Sequence, residues 1–256
     1  KMGLDLYAGT LTRYYARDWM TATQRWAEEN GYGYHKMGPD GPMEQEQKPD
    51  PAQVLPAIEG WRDSLLAALK NGGTDCPAWP ESVDAPYYTD KPGWDAWHAL
   101  LLAVACSTCG EQLPSTVERG WYQKFGDIPV VQRASRENKG SLLAGAELWL
   151  PFPEPFWFQC PNPLGNQITI STTAGLRKEL EGLNTALWQA PEEEVLSWPC
   201  TQGYPATGQV MPDGSIRHIE APPQLDPVSL AKYAYAILWE AVTFSEEHQV
   251  PILLDY

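Results

Sequence analysis

Between Trp94 and Cys109 the chain spells out a helix that is apolar on nearly every face. Trp94, Trp97, Leu101, Ala105 and Cys109 recur at three and four residues, and from Ala99 to Cys106 no residue is polar. A helix with one apolar stripe lies on a core, whereas a helix apolar all round has to be covered on every side. The segment is therefore central, and the rest of the chain must supply its cover. Crossing a bilayer takes ~20 apolar residues, so this run is a buried helix and not a span.

Cover is written in both periodicities. Leu4 to Ala8 reads as a short strand stopped by Gly9, and Asp18 precedes Trp19, Met20, Thr23 and Trp26 at helical spacing until Asn30-Gly31. Asp50-Pro51 is an N-cap and first-turn pair for a helix through Val54, Ile58, Trp61, Leu65 and Leu69, with Pro56 early enough to be tolerated. Leu113 to Lys139 reads as short helices or turns. Ala146–Phe152, Phe156–Cys160 and Gln167–Ser171 are short apolar runs between turn residues, which predicts a β meander. Thr172 or Thr173 caps a helix carrying Leu176, Leu180, Leu183 and Leu187, and Asp226-Pro227 opens the longest helix, through Leu230, Ile237, Leu238 and Phe244. Pro251 to Leu254 is a last strand. Irregular loops fall at about 35–51, 76–92 and 199–225. The expected fold is α+β, one domain over 1–256, with a mixed or antiparallel sheet of about four to six short strands packed by several amphipathic helices.

Acidic residues outnumber basic ones 33 to 18, a net charge of −15. From Glu181 to Tyr256 eleven acidic residues stand against only Arg217 and Lys232. Such a field repels phosphate backbones and anionic lipid and attracts basic protein surfaces. Nucleic acid and membrane are therefore not expected partners. Met2-Gly3-Leu4-Asp5 has neither the basic flank nor the apolar run of a secretory signal, and five cysteines are an odd number for a disulfide scaffold, so reduced thiols in the cytoplasm are expected. Cys106-Ser-Thr-Cys109 has the spacing of a redox pair or half a zinc site, but no second CxxC accompanies it.

Chemistry is sparsely marked. There is no GxGxxG, no phosphate loop, no HExxH and no GxSxG, and the four histidines (His35, His98, His218, His248) are scattered. No cofactor and no metal is implied. For a hydrolase, the candidates are Asp5 in the first strand and Asp255 after the last, carboxylates at strand ends suited to general acid and base work, with His98 as a third. The bland alternative makes the carboxylates turn caps or arginine partners and His98 a hydrogen-bonded core residue.

Twelve tryptophans need a use. Trp19, Trp26, Trp61, Trp94, Trp97 and Trp239 fall on apolar helix faces and read as core. Trp79 and Trp198 stand beside prolines, where exposure is expected, either to stack on sugars or to anchor a protein. Glu192, Glu193 and Glu194 followed by Trp198 form an acidic rim beside an apolar anchor, suited to a cationic protein cleft, although three carboxylates also suit a helix start.

An acidic compact chain with excess aromatics and no catalytic motif resembles the bacterial immunity proteins that neutralise polymorphic or contact-delivered toxins, and its termini, MGLDLYAGTLTRYY and EEHQVPILLDY, are similar to those of bacterial proteins. The resemblance implies a stoichiometric inhibitor of a basic toxin surface, binding through Glu192, Glu193, Glu194 and Trp198 and not acting as an enzyme. The alternative is a hydrolase or carbohydrate-active enzyme with a tryptophan-lined cleft.

Overall fold

A computed structural model describes residues 3–33, 37–38, 41–42, 48–137, 140–211 and 216–256. The fold is α+β. Its elements run β1 (Asp5–Ala8), α1 (Leu11–Tyr15), α2 (Ala22–Glu29), β2 (Met37–Gly38), β3 (Gly41–Pro42), α3 (Pro51–Asn71), β4 (Tyr88–Asp90), α4 (Gly93–Cys109) and β5 (Val117–Glu118). A 3-10 helix (Trp121–Asp127) follows, then α5 (Pro129–Glu137), β6 (Ala146–Leu150), β7 (Trp157–Pro161), β8 (Gln167–Thr172), α6 (Thr173–Leu187) and α7 (Glu192–Thr201). The short strands β9 (Gly208–Val210), β10 (Ile216–His218) and β11 (Gln224–Leu225) lead to α8 (Pro227–His248) and β12 (Ile252–Asp255). His35 lies outside the described residues, as does most of the loop expected at about 35–51.

The chain divides into two compact units, one of residues 1–91, 145–178 and 241–256, the other of residues 92–144 and 179–240. The first holds a six-stranded mixed sheet in the order β4-β1-β12-β6-β8-β7. Tyr7, Leu11, Ile58, Leu65, Trp79, Leu148, Phe152, Ile170 and Leu253 form its core, with α3 supplying Ile58 and Leu65. Asp50 caps α3 by accepting the Ala52 N–H at 2.9 Å, and Pro51 occupies the first turn, where its missing N–H costs nothing.

The expected meander is corrected. β8 lies between its predecessors, parallel to β6 and antiparallel to β7. Pro151, Pro153 and Pro155 separate β6 from β7, and residues without an N–H and with fixed φ cannot make the tight hairpin a meander needs there. β4, in the segment read as irregular, is a three-residue strand paired with β1.

In the second unit α4 is the helix that its composition demands. Every residue from Asp95 to Cys106 except His98 is buried, and Gly110 ends the helix in the left-handed conformation, φ +66°. α4 packs on α5 and the 3-10 helix, with Leu102, Cys106, Val130, Val131 and Ala134 at the contact. Asp226 caps α8, accepting the Val228 N–H at 2.8 Å. No helix among the described residues is long and apolar enough to cross a membrane.

Candidate functional site

The sheet brings Asp5 and Asp255 together. β1 and β12 are antiparallel neighbours with Asp5 directly opposite Asp255 and Tyr7 opposite Leu253, and strand alternation puts all four on one face. Above them stands an aromatic group. Tyr7 meets Trp19 at 4.9 Å, Tyr14 at 5.4 Å and Tyr87 at 5.9 Å between ring centroids. The Tyr14 hydroxyl donates to Asp255 Oδ1 at 2.7 Å, and the Tyr7 hydroxyl donates to the Thr10 carbonyl at 3.0 Å. Burial pushes both phenols well above the ordinary tyrosine range, and for Tyr14 the Asp255 carboxylate adds to the rise. Both therefore act as donors. Arg13 and Arg25 lie over the Tyr87 ring at 5.0 and 5.3 Å. The third candidate, His98, belongs to the second unit, stacked on Tyr122 at 5.4 Å and edge-on to Phe125 at 4.9 Å, with Nδ1–H donated to the Trp94 carbonyl at 2.8 Å.

α7 starts at Glu192, so Glu192, Glu193 and Glu194 form its first turn, where carboxylates oppose the helix dipole. Two have partners on their own chain while staying exposed. Glu192 Oε1 accepts the Trp239 indole N–H at 3.3 Å, and Glu194 Oε1 lies 3.8 Å from the Lys232 ammonium. Trp198 is corrected from exposed to buried, at 1% exposure. The helix runs on through Pro199, and Trp198 is boxed by Trp188 at 5.2 Å, Tyr235 at 5.6 Å and the Lys232 ammonium at 4.8 Å. Trp79, also expected to be exposed, is buried with its indole N–H on Glu81 Oε1 at 2.6 Å. Desolvation raises the Glu81 carboxyl above its usual range, against the hydrogen bonds from Thr12 and Trp79.

The reverse correction falls on Trp26, read as core, which is 58% exposed. Thr21 and Gln24 form a capping box that starts α2. At the other end Tyr32 N–H bonds the Ala27 carbonyl at 2.8 Å and Gly31 N–H the Glu28 carbonyl at 3.1 Å, the paired bonds of a Schellman turn with Gly31 at φ +70°. That turn folds Tyr32, itself 62% exposed, against Trp26, with ring centroids 5.5 Å apart and planes 10° from parallel. Glu28, Glu29 and Asn30 are exposed beside the stack, while Arg25, the only basic residue of α2, is over Tyr87. The signal was Asn30-Gly31-Tyr32, a turn that returns an aromatic onto the helix's one aromatic residue.

In the second unit a cleft of about 580 Å³ opens between α4, the 3-10 helix and α5, lined by Leu102, Cys106, Trp121, Ile128 and Val130 with the Glu111–Arg133 ion pair. Its lining carries no facing carboxylates. Among the described residues no group of three or more His, Cys, Asp and Glu is placed to hold a metal ion, and the five cysteines form no disulfide. Burial raises the Cys106 thiol, with Glu111 adding to the shift, which leaves it a poor nucleophile. Compared with known protein families, with curated proteins and with solved structures, the chain matches none.

Proposed function

We propose that this chain is an acidic binding protein that neutralises a basic protein partner, in the manner of an immunity protein inhibiting a bacterial toxin. The observation that carries the reading is the solvent-facing Trp26–Tyr32 stack flanked by Glu28 and Glu29. Rigid aromatics are the usual anchors at the centre of an interface, and carboxylates around them steer a basic surface in and pair with it. The charge of −15 extends that steering over the molecule. The contact surface of this reading is thus on α2 and not on α7, where Trp198 is enclosed.

The test uses the product of the reading frame beside this gene in its native host. Co-expression should relieve the growth arrest that this product causes alone, and surface plasmon resonance should show direct binding. Glu28→Gln with Glu29→Gln should slow association and flatten its salt dependence, whereas Trp26→Ala should mainly speed dissociation, at a cost of about 2 kcal/mol or more. Rescue and binding left intact by all three substitutions would remove α2 from the reading, and the absence of both rescue and binding would remove the reading itself.

A second reading rests on Asp5 facing Asp255. Two carboxylates on one sheet face with a phenol donating to one of them suit a hydrolase's acid and base. Turnover of chromogenic glycosides or esters, abolished by Asp5→Asn and by Asp255→Asn with the fold retained, supports it. A wild-type chain inert across such a panel counts against it.

A further inference from the structure

We infer that the cleft between α4, the 3-10 helix and α5 is a small-molecule site, suited to an uncharged and largely apolar compound that carries one amide-like group. The binding reading above makes no use of it, since the cleft belongs to the second unit and α2 to the first.

Each wall contributes apolar surface, Leu102 and Cys106 from α4, Trp121 from the 3-10 helix and Val130 from α5. The volume of about 580 Å³ falls within the ~300–1,000 Å³ of ligand pockets, which share this make-up of apolar walls and a few polar groups. The walls are also held in place by their own chain. Beyond Gly110 the Glu111 N–H returns to the Cys106 carbonyl at 2.9 Å, which fixes the end of α4. On the opposite side the Ile128 N–H bonds the Phe125 carbonyl at 3.2 Å, the Gln132 side-chain amide donates to the Gly126 carbonyl at 3.0 Å, and Pro129 opens α5. A cleft with tied walls spends little on ordering when a ligand enters.

The ligand's polarity follows from the mouth. The lining holds two charged residues, Glu111 and Arg133, and they bind each other. That contact joins one guanidinium nitrogen to one carboxylate oxygen, and among the described residues neither side chain has a second partner. A guanidinium carries five N–H donors and a carboxylate two acceptor oxygens, so donors and an acceptor are left over side by side. An amide uses both kinds, giving its N–H to Glu111 and taking one from Arg133. A cation or an anion is attracted by one member of the pair and repelled by the other, so its charge gains it little. For the same reason a basic protein surface has no preference for this mouth, where the one carboxylate is already matched.

Fluorescence titration of the full chain with N-phenyl-1-naphthylamine, an uncharged probe that brightens in apolar surroundings, tests this. One probe should bind per chain, in the micromolar range. 2-Naphthamide should displace it, whereas 2-naphthoate and 2-naphthylmethylammonium, which keep the ring and carry opposite charges, should compete about tenfold less well. Gln112→Trp, at an exposed position of the lining, should fill the mouth and weaken the probe about tenfold with the melting temperature unchanged. Arg133→Ala leaves Glu111 unmatched and should turn the ranking towards the ammonium compound. A chain that binds no probe overturns the inference, as does binding that both variants leave unchanged, or a wild-type ranking with either charged compound ahead of the amide. Probe binding lost in Trp26→Ala and kept in Gln112→Trp would put the apolar site on α2 and overturn it too. The α2 reading is judged apart from this, on its own variants and its protein partner.

Discussion

Tyr7 and Tyr14 keep their protons in the fold because burial opposes the phenolate, and burial pushes Tyr15 up to about 12. A group whose folded pKa is raised stabilises the fold below its unfolded value and loses that contribution as pH rises through the folded one. Tyrosinate absorbance should therefore not develop gradually near pH 10 for these residues. It should appear in a cooperative step that coincides with loss of near-ultraviolet circular dichroism, and a smooth titration of all twelve tyrosines in the folded state would contradict the buried network. Trp198 belongs to the same scale. Enclosed by Trp188, Tyr235 and Lys232, it holds the second unit together, and Trp198→Ala should cost about 3–5 kcal/mol in denaturant unfolding with intact secondary structure in the absence of denaturant. Exposure of single tryptophans was poorly legible in the sequence. A proline beside an indole signals a turn only where the helix stops, and α7 continues through Pro199. Trp26 fits an apolar helical spacing, yet α2 presents it to solvent, because periodicity names a face without saying which face the core takes.

Element boundaries were legible wherever a cap is local. Asp50-Pro51 and Asp226-Pro227 start α3 and α8 as read, since each signal acts within one turn of its own helix. Strand neighbours are set by distant segments and were not legible. Nothing in Ala146 to Leu150 announces that β8, not β7, lies beside it. The turn after α2 carries its own prediction. A Cβ on Gly31 meets nothing within 4 Å, so the cost of Gly31→Ala is the left-handed backbone alone, about 1 kcal/mol. Gly31→Asn should recover most of it. In both, the Trp26 emission spectrum in a background lacking the other exposed tryptophan, Trp157, should report whether the stack survives; an alanine variant as stable as the wild type would mean the turn is not held as described.

Across the whole molecule, charge and burial act in the same direction on pH dependence. Glu81, Asp90 and Asp95 all have carboxyls raised first by desolvation, so each contributes stability that is present below its ordinary value and lost as pH rises through its folded one. Net repulsion at −15 grows over the same range. The melting temperature at low salt should fall as pH is raised from the ordinary carboxylate range towards neutrality, by about 2–4 °C per kcal/mol, and added salt should shrink the change; a melting temperature that rises over that range would show that ion pairs outweigh both effects. The order of the sheet has a consequence for how the protein is made. β12 sits between β1 and β6, so until residues 252–255 have left the ribosome the nascent chain carries a β4-β1 ribbon and a β6-β8-β7 ribbon with open inner edges and nothing to join them. Half-sheets of that kind are the material of aggregation. The six-stranded sheet therefore closes only when β12 is inserted between the two ribbons, so their inner edges are the ones that stay open longest.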